Sequence, residues 1–594
     1  MKIRGEKWSE YKDIARALND GAGPVLAYES GKAYTYDGEG HTMFLGVSGS
    51  GKSRRGTIPM AIKIIQNKES GVFVDPKGEI YKHTKGIIPK DYEVHVIDFR
   101  NIYNEEAEGW NPLMVPYRLY KTGDPKDRAE AEQIIETLAD SMYPVAQNTD
   151  PFWQNEAKNL FLGAVYTLFE CAREEEINTG SLYYMISKGE RKFGTNSYLR
   201  EFIGLPDISE NVDMQLHSYV TTASDTKAGI RSCYLNGLSV MTKSKSIRNF
   251  LARNDLDVKN LKGNKPTLVY VIIPDEVPIY NQLAGVMVTQ IGTHFVNLAE
   301  QEYGGKLPVR VNIIIEELGN VGHAIPSLPF LMTASRSRNI RLAFVLQSLE
   351  QLQEIYGASN GATIASNADC KVVYRIHSYK TMEEFSKICG ERCIYSNGNV
   401  SKEALITPAK LSVMETGQAL VLVSGCKVKF ITWLPDFEEM FDIPEDDDVY
   451  FERMQTDRSN DVSFFDICEY VKNEKLKALR ASNKDCEEKR EEDSFNDFIK
   501  DNTFAEWIRK KDDEKKENDE RKKAVTGLVN VLNGRIEQLS NVKEEDTGKR
   551  DKPETDCNNP EEDDDDDDVL DLDAEEFIRM FDEKMNGVVG DKKD

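Results

Sequence analysis

The chain has 594 residues, of which 40% are hydrophobic and 30% are charged, so it is long enough for a large core and more than one structural unit. Its formal net charge is −26, and residues 441–594 hold most of the excess, with 49 acidic and 27 basic residues. The sequence contains neither a secretory signal nor an uncharged apolar run near the roughly 18 residues that a membrane-spanning helix needs. We therefore expect a soluble chain that reaches a membrane only through a partner.

Short apolar segments recur along residues 41–440, and several are continuously apolar, as in strands that helices cover on both faces. They are residues 43–47, 71–74, 94–97, 268–273, 311–315, 342–346 and 372–376. Helical patterns lie between them, which predicts an α/β fold with a mainly parallel sheet. Residues 117–260 have few such segments and several helical patterns, so we expect an all-helical insert there.

The predicted organisation has five parts. They are a lead segment (1–40), a nucleotide-binding domain in two parts (41–116 and 261–440), the all-helical insert (117–260) and an acidic tail (441–594). The tail has few apolar residues to bury, so we expect it to be largely disordered with short helices. One segment of it, residues 569–585, has a capping-box pattern at Asp573 and Glu576 and places Phe577 and Phe581 on one helix face. The tail could hold a basic partner or serve as a solvating spacer.

The nine cysteines are scattered and odd in number. Cys389 and Cys393 lie four residues apart, but no second pair or nearby histidine completes a zinc site. We therefore expect reduced thiols.

Residues 46–53 read Gly-Val-Ser-Gly-Ser-Gly-Lys-Ser and match the phosphate-binding motif GxxxxGK[ST] in full. A predicted strand precedes the motif and a predicted helix, residues 58–65, follows it, which is the context that the motif requires. The motif predicts that Lys52 reaches the β- and γ-phosphates of ATP and that Ser53 ligates Mg²⁺. The predicted nucleotide-binding residues are Gly46, Ser48, Gly49, Ser50, Gly51, Lys52 and Ser53.

Glu316 and Glu317 follow the apolar segment 311–315 and would stand at the carboxyl edge of the sheet. We predict that Glu316 orients the water shell of Mg²⁺ and that Glu317 polarises the attacking water. On its own, such a pair is also common at a solvated strand end.

Four further polar residues flank the predicted strands. Gln347 ends the segment 342–346, where its side chain can sense the γ-phosphate, and Arg336 and Arg338 lie in the loop that enters the same strand. An arginine there can reach the nucleotide of a neighbouring subunit, and the alternative is that both arginines bind local carboxylates. Asp75 ends the segment 71–74 and is either an additional acid of the site or part of a charged turn.

The motifs and predicted strands described above, in this order, resemble those of the TraG/TraD-type coupling proteins of conjugative type IV secretion. The resemblance covers about residues 40–435. It is carried by residues 46–53, 75–79, 94–98, 111–113, 152–153, 317–320, 325–326, 336–340, 347–357, 367, 371–375 and 390. It implies a RecA-like P-loop ATPase that works as a homo-hexamer, passes DNA through a central channel and hydrolyses ATP at its subunit interfaces. It also implies that Arg336 acts on the neighbouring subunit and that the helical insert meets the relaxase-bound substrate.

The chain departs from the family pattern in two ways. Family members usually have Asp-Glu where this chain has Glu316-Glu317, which puts the metal geometry and the rate in question. The N-terminal membrane anchor of the family is also missing from the sequence, which has 45 residues before the P-loop. We expect a cytoplasmic chain that is recruited to the inner face of the cell membrane, either by a separate membrane-anchoring subunit or transiently.

The sequence therefore predicts an ATP-driven coupling protein that recruits relaxase-bound DNA, in single-stranded form, and pumps it into a type IV secretion channel. The alternatives are another hexameric DNA translocase or helicase, or an ATP-gated adaptor with little motor activity. Basic residues of the insert are candidates for phosphate contacts, although they could equally form a solvated helix face. They are Lys227, Arg231, Lys243, Lys245 and Arg248.

Overall fold

The structure is a computed structural model that describes residues 2–102, 108–145, 150–274, 279–322, 325–396, 399–444 and 462–478. All of these residues belong to the unit Met1–Ala481. Most of the predicted acidic tail, including residues 569–585, lies outside the described residues, so the predictions made for it stay predictions.

A nine-stranded sheet lies at the centre of the α/β domain. In spatial order its strands are β16 (Val428–Trp433), β15 (Gln418–Val423), β12 (Cys370–Val373), β4 (Thr42–Leu45), β11 (Ile340–Leu346), β10 (Val311–Ile315), β5 (Ser70–Asp75), β9 (Thr267–Ile272) and β6 (Glu93–Asp98). The seven strands from β12 to β6 are parallel, and β15 and β16 form an antiparallel hairpin at one edge. The predicted α/β class with a mainly parallel sheet is confirmed.

Helices cover both faces of this sheet, and strands β4, β5, β9, β10 and β11 are buried along their whole length. The helices of this domain are α2 (Ile58–Gln66), α3 (Glu79–Thr84), α12 (Ile279–Glu302), α13 (Leu318–Val321), α14 (Leu328–Ala334), α15 (Glu350–Asn367), α16 (Tyr379–Cys389), α17 (Pro408–Ser412) and α18 (Phe437–Met440). Adjacent strand residues face opposite sides, so Phe44 packs in the core that contains α2 whereas Leu45 packs in the core that contains α12.

Among the described residues between β6 and β9, eight helices form the insert. They are α4 (Met114–Lys121), α5 (Pro125–Met142), α6 (Phe152–Cys171), α7 (Thr179–Gly189), α8 (Tyr198–Ile203), α9 (Glu210–Thr221), α10 (Ser224–Thr242) and α11 (Lys245–Ala252). The described part of the insert departs from an all-helical domain only in the two-residue strands β7 (Lys192–Phe193) and β8 (Asn196–Ser197). Gly163 lets α6 approach α9 closely, because a Cβ at Gly163 would lie 2.6 Å from Leu216 Cδ2.

The lead segment folds onto the α/β domain. Strand β1 (Lys2–Gly5) pairs with β13 (Glu391–Ser396), which also pairs with β14 (Asn399–Ala404). Helix α1 (Tyr11–Ala17) and the hairpin of β2 (Val25–Glu29) and β3 (Lys32–Thr35) follow. The buried guanidinium of Arg341 on β11 donates to Ala22 O (2.6 Å) and to Asn312 Oδ1 (2.8 Å), and so ties this segment to the sheet.

Residues 462–478 pack on the helical insert, although the sequence analysis had assigned them to the tail. Residues 467–478 are helical, and Phe465, Ile467 and Val471 are buried in the same core as the insert helices. The amide of Asn178 donates to Ser463 O (2.9 Å). Ile467 and Val471 lie four residues apart on one helix face, and Phe465, just before the helix, is buried with them, although the surrounding sequence is charged.

None of the helices among the described residues is both long enough and apolar enough to cross a membrane.

Candidate nucleotide-binding site

The loop of residues 46–53 leaves β4 between its two neighbouring strands. The N–H of Gly46 donates to Leu346 O at the end of β11 (3.1 Å), and the N–H of Val47 donates to Arg375 O just after β12 (2.9 Å). Gly49 and Gly51 have φ values of 72° and 93°, in the left-handed region that favours glycine. A Cβ at Gly49 would meet no atom within 4 Å, so this part of the loop is open to a ligand. A loop of this kind presents its amide N–H groups to an anion.

Lys52 places its ammonium group inside the loop. The side chain is buried, and Nζ donates to Gly46 O (2.7 Å) and Val47 O (3.0 Å). Burial lowers the pKa of Lys52, and the negative charges of Glu317 and Glu316 act in the opposite direction. The loop cation and the two predicted acids are therefore electrostatically coupled.

The chain continues from Lys52 into a π-helical turn, Ser53–Thr57, and α2 begins at Ile58. The predicted helix after the motif is thus confirmed. A π turn is wider than an α turn and is frequent at functional sites. Here it brings two hydroxyls to one carboxylate, because Thr57 donates a hydrogen bond to the side chain of Glu316 and the hydroxyl of Ser53 is close enough to lower the pKa of Glu316.

Glu316 is the first residue after β10 and is buried at the sheet edge. Its backbone N–H donates to Val74 O (3.1 Å), which fixes it beside the end of β5. Burial and the nearby charge of Asp75 raise the pKa of Glu316 to about 7, although the hydrogen bonds from Thr57 and Ser53 oppose the shift. The hydroxyl of Ser53 and the carboxylate of Glu316 are hard oxygen ligands, the kind that Mg²⁺ takes, so this pair fits a magnesium ion.

Glu317 adopts a left-handed backbone conformation, with φ 54° and ψ 49°. This conformation is uncommon for a residue with a side chain, and such strain is concentrated at functional sites. It turns the chain sharply from β10 into α13, so that Glu317 is half-buried while Glu316 is buried. The two acids therefore stand in different environments, as their different predicted roles require.

Gln347 is exposed at the end of β11, the strand that lies between the P-loop strand β4 and the Glu316 strand β10. Its backbone N–H donates to Gln351 Oε1 (2.8 Å). The structure thus brings Lys52, Ser53, Glu316, Glu317 and Gln347 to one edge of the sheet.

Arg336 and Arg338 lie at the opposite edge, where β11 begins. Arg338 is engaged locally, because its Nη2 forms an ion pair with Glu300 Oε1 (2.5 Å). Arg336 is exposed and forms no hydrogen bond or ion pair among the residues that the structure describes. Burial, with a contribution from the positive charge of Arg336, lowers the pKa of His41 to about 4, which places Arg336 near the residue that precedes β4.

Asp75 is buried at the end of β5 and faces the backbone of the next helix. Its Oδ1 accepts from the N–H of Glu79 (3.0 Å) and its Oδ2 accepts from the N–H of Tyr81 (3.0 Å), at the start of α3. Burial raises the pKa of Asp75 to about 6, although these backbone hydrogen bonds oppose the shift. Asp75 therefore caps α3 and acts on Glu316 through its charge.

The basic residues of the insert differ in their surroundings. Lys227 is engaged by Glu190 (3.2 Å) and lies over the ring of Tyr219, and Arg248 donates to Thr242 O. The other three are exposed: Arg231, Lys243 and Lys245.

Two residues at the site were missed in the sequence analysis. Thr57 was missed because the motif ends at Ser53, four residues earlier. Arg375 was included only in the family resemblance, as part of residues 371–375, and was given no role at the site, although a charged residue at the end of a buried strand is itself a signal.

A family model described as "Type IV secretory system Conjugative DNA transfer" matches residues 4–429 of the chain. The chain belongs to this family. Among curated proteins, the coupling protein TraD of Escherichia coli (strain K12) is 21% identical over 258 residues, which are 43% of this chain and 34% of TraD. The match therefore spans about a third of TraD's length.

Solved structures of the conjugative coupling protein TrwB have the same fold. The complex of TrwB with the ATP analogue ADPNP has a TM-score of 0.55 and 17% identity, over 76% of this chain and 97% of TrwB. The complex with ADP and Mg²⁺ has a TM-score of 0.53 and 16% identity, over 76% of this chain and 96% of TrwB. The RecA-like fold predicted from the family resemblance is confirmed.

Proposed function

We propose that the chain is a conjugative coupling ATPase, which hydrolyses ATP to move DNA into a type IV secretion channel. The observation that carries the proposal is the joint placement of Lys52, Ser53 and Glu316 at one sheet edge, where Thr57 donates to the Glu316 carboxylate and Ser53 lies beside it. The chain belongs to the conjugative DNA transfer family, which indicates the process in which this ATPase site would act.

Each residue that lies at the P-loop edge of the sheet has a proposed role in ATP hydrolysis. The loop amides and Lys52 hold the phosphates, and Ser53 and Glu316 hold Mg²⁺ directly or through its water shell. When bound, Mg²⁺ neutralises charge that develops on the phosphates. Glu317 orients the attacking water and accepts its proton, and Gln347 contacts the γ-phosphate and responds to its loss. Glu316 has a longer side chain than the aspartate usual in the family, and Thr57 fixes its position by a hydrogen bond.

Arg336 cannot serve the P-loop of its own subunit. The seven residues of β11 separate Arg336 from the edge that carries Gln347, a distance of roughly 20 Å at about 3.3 Å per residue. Its exposure leaves it available to a second copy of the chain, where it would stabilise charge on the transferred phosphoryl group. This division of one active site between two subunits requires an assembly, which we take to be a homo-hexamer.

The partners follow from the same proposal. Single-stranded DNA attached to a relaxase is the substrate, and the helical insert is the domain that meets it. The subunits of the secretion channel receive the DNA, and a separate membrane-anchoring subunit holds the chain at the inner face of the cell membrane. The acidic tail is a second candidate surface for a basic partner.

A mixing experiment tests the shared active site. Lys52→Ala disables the P-loop and leaves Arg336 intact, whereas Arg336→Ala does the reverse. Each variant alone should have no ATPase activity above background, with or without single-stranded DNA. A mixture should recover measurable, DNA-stimulated activity, because Arg336 of one variant completes the intact P-loop of the other. Arg392→Ala is the matched control, since Arg392 pairs with Glu403 on the small sheet and should be replaceable.

The outcome separates the alternatives. Wild-type activity that rises steeply with protein concentration, together with recovery in the mixture, supports the shared site. A mixture as inactive as its components would contradict the role of Arg336 in the neighbouring subunit. Wild-type activity that is negligible at every concentration and indifferent to DNA would favour the adaptor over the motor.

A further inference from the structure

Arg375 follows β12 at the sheet edge that carries the P-loop. Its carbonyl oxygen accepts the N–H of Val47 (2.9 Å), so its backbone runs directly beside the loop. The packing there is close, because a Cβ at Gly46 would lie 3.3 Å from Arg375 O. Strand β12 neighbours β4 on the side away from β11. The P-loop is therefore flanked by Gln347 on one side and by Arg375 on the other.

The guanidinium of Arg375 is incompletely satisfied. Its Nε is buried and has no hydrogen-bond partner, and Arg375 forms no ion pair among the described residues. Arg310, which directly precedes β10, is by contrast paired with Asp37 (2.6 Å). A buried charged donor without an acceptor is unfavourable, so a ligand that brings an anionic oxygen to this edge would relieve the cost.

A second buried group without a partner lies in the loop itself. The hydroxyl of Ser50 makes no hydrogen bond among the described residues, although the side chain is buried. Ser50 Oγ lies beside Gly46, where a Cβ would come within 2.6 Å of it. Ser50 therefore has an unsatisfied hydroxyl beside Gly46, and the backbone of Arg375 contacts the same part of the loop, residues 46–47. Phosphate oxygens suit both groups, and the planar guanidinium matches phosphate geometry especially well.

We propose that Arg375 donates hydrogen bonds to the phosphates of ATP bound in its own subunit. This inference rests on the proposed function, since it needs a nucleotide at the P-loop. Under this proposal the site contains two arginines, one from its own subunit and one from the neighbouring subunit. Arg375 acts within the subunit and contributes to binding, whereas Arg336 acts on the neighbour and contributes to turnover.

Nucleotide binding by dilute full-length protein tests the proposal, because dilution removes the neighbouring subunit. The probe is a fluorescent, non-hydrolysable ATP analogue with Mg²⁺, titrated against the wild type, Arg375→Ala, Arg375→Lys, Arg336→Ala and Arg392→Ala. Loss of one charge-assisted hydrogen bond should weaken binding by Arg375→Ala about tenfold or more. Arg375→Lys should bind with intermediate affinity, and the other two variants should match the wild type.

The result that overturns the inference is Arg375→Ala binding within twofold of the wild type, which would assign the arginine to a neighbouring subunit or to the fold. If the wild type still binds the ATP analogue in that case, the proposed ATPase site is not contradicted. Absence of binding by the wild type itself would contradict the ATPase site and, with it, the role of Arg375.

A measurement on the wild type covers the case in which Arg375→Ala fails to fold. Phenylglyoxal modifies accessible arginines, and mass spectrometry quantifies the reaction at each position. The ATP analogue should protect Arg375 severalfold and leave Arg392 unprotected. Equal modification of Arg375 with and without the analogue would overturn the proposal.

Discussion

The side-chain oxygen of Gln351 accepts a hydrogen bond from the backbone N–H of Gln347, at 2.8 Å. The same amide group packs on Gly319 of α13, where a Cβ would lie 2.5 Å from Gln351 Nε2. One side chain of α15 therefore links the end of β11 to the short helix that begins directly after Glu317. If Gln347 contacts the γ-phosphate as proposed, its displacement would reach Glu317 through this contact, so we expect Gln351 to position both residues.

Gln351→Ala should lower kcat for ATP about tenfold while KM for ATP changes less than about threefold, because the contact positions the acting groups and does not bind nucleotide. The free energy of unfolding should fall by only about 1 kcal/mol, the worth of one hydrogen bond. Steady-state ATPase assays and urea denaturation measure both. Gln353→Ala is the control, since Gln353 lies on the same helix and accepts from the exposed Lys380 (2.9 Å). A wild-type kcat in Gln351→Ala would exclude the positioning role.

Magnesium binding should depend on pH through Glu316. Its pKa of about 7 means that the carboxyl is mostly neutral at pH 6 and mostly ionised at pH 8, and only the ionised form attracts the cation. We expect the affinity of the nucleotide complex for Mg²⁺ to fall about tenfold from pH 8 to pH 6. Titration of the fluorescent ATP analogue with Mg²⁺ at fixed pH values measures this change.

The nucleotide's own phosphates also titrate in this range, and Glu316→Gln supplies the correction. That variant should bind Mg²⁺ weakly, and its pH dependence should contain only the contribution of the phosphates. Identical slopes for the wild type and Glu316→Gln would show that Glu316 does not hold the metal.

His95 should make the stability of the α/β domain depend on pH. Burial lowers the pKa of His95, but hydrogen bonds to Glu108 (2.7 Å) and Glu93 (3.2 Å) outweigh it and raise the pKa to about 9. A raised pKa means that the folded state holds the proton more tightly than the unfolded state does. The stabilisation is therefore complete below about pH 6.5 and is lost as the pH rises through 9. Its size is on the order of 3 kcal/mol.

Urea denaturation of the wild type and His95→Ala between pH 6 and pH 9.5 measures this contribution. The wild type should lose stability over this range, whereas the variant should be less stable at pH 6 and show a flatter curve. His217→Ala is the control, because His217 is exposed beside Asp213 on α9. Parallel curves for the wild type and His95→Ala would contradict the account.

The α/β class and the P-loop could be predicted because their signals are local. Buried parallel strands have continuously apolar sequences, and residues 46–53 form a complete phosphate-binding motif. The order of the strands could not be predicted, since an apolar segment does not encode its neighbours. The placement of Gln347 between the P-loop and Glu316 therefore became visible only in the sheet.

The surroundings of several site residues depend on contacts between residues that are far apart in the sequence, so the sequence alone could not predict them. Local sequence does not separate Arg336 from Arg338, whereas the structure shows Arg338 paired with Glu300 and Arg336 exposed. Likewise, Asp75 is identified as a helix cap by the hydrogen bonds that its carboxylate accepts from the backbone N–H groups of Glu79 and Tyr81, at the start of α3. Thr57 could not be assigned to Glu316 because 259 residues separate the two.

The segment 462–478 should contribute to the stability of the insert. Phe465 is buried in the core of the insert, so Phe465→Ala should lower the free energy of unfolding by about 3–5 kcal/mol through the cavity that it leaves. Leu476→Ala, at a half-exposed position of the same segment, should cost less than about 1 kcal/mol. Urea denaturation compares the two variants. Equal stability of Phe465→Ala and the wild type would mean that the segment does not pack on the insert in solution.

Conjugation is the most direct test of whether ATP turnover at the P-loop drives DNA transfer. The donor cells carry Lys52→Ala in place of the wild-type chain. Lys52 lies inside the phosphate-binding loop, so its loss should remove turnover. We predict that transfer to recipient cells falls to the background of a deletion strain, while immunoblots show unchanged amounts of the protein. Transfer at the wild-type frequency by Lys52→Ala would contradict the motor and leave recruitment of the substrate as the function of this chain.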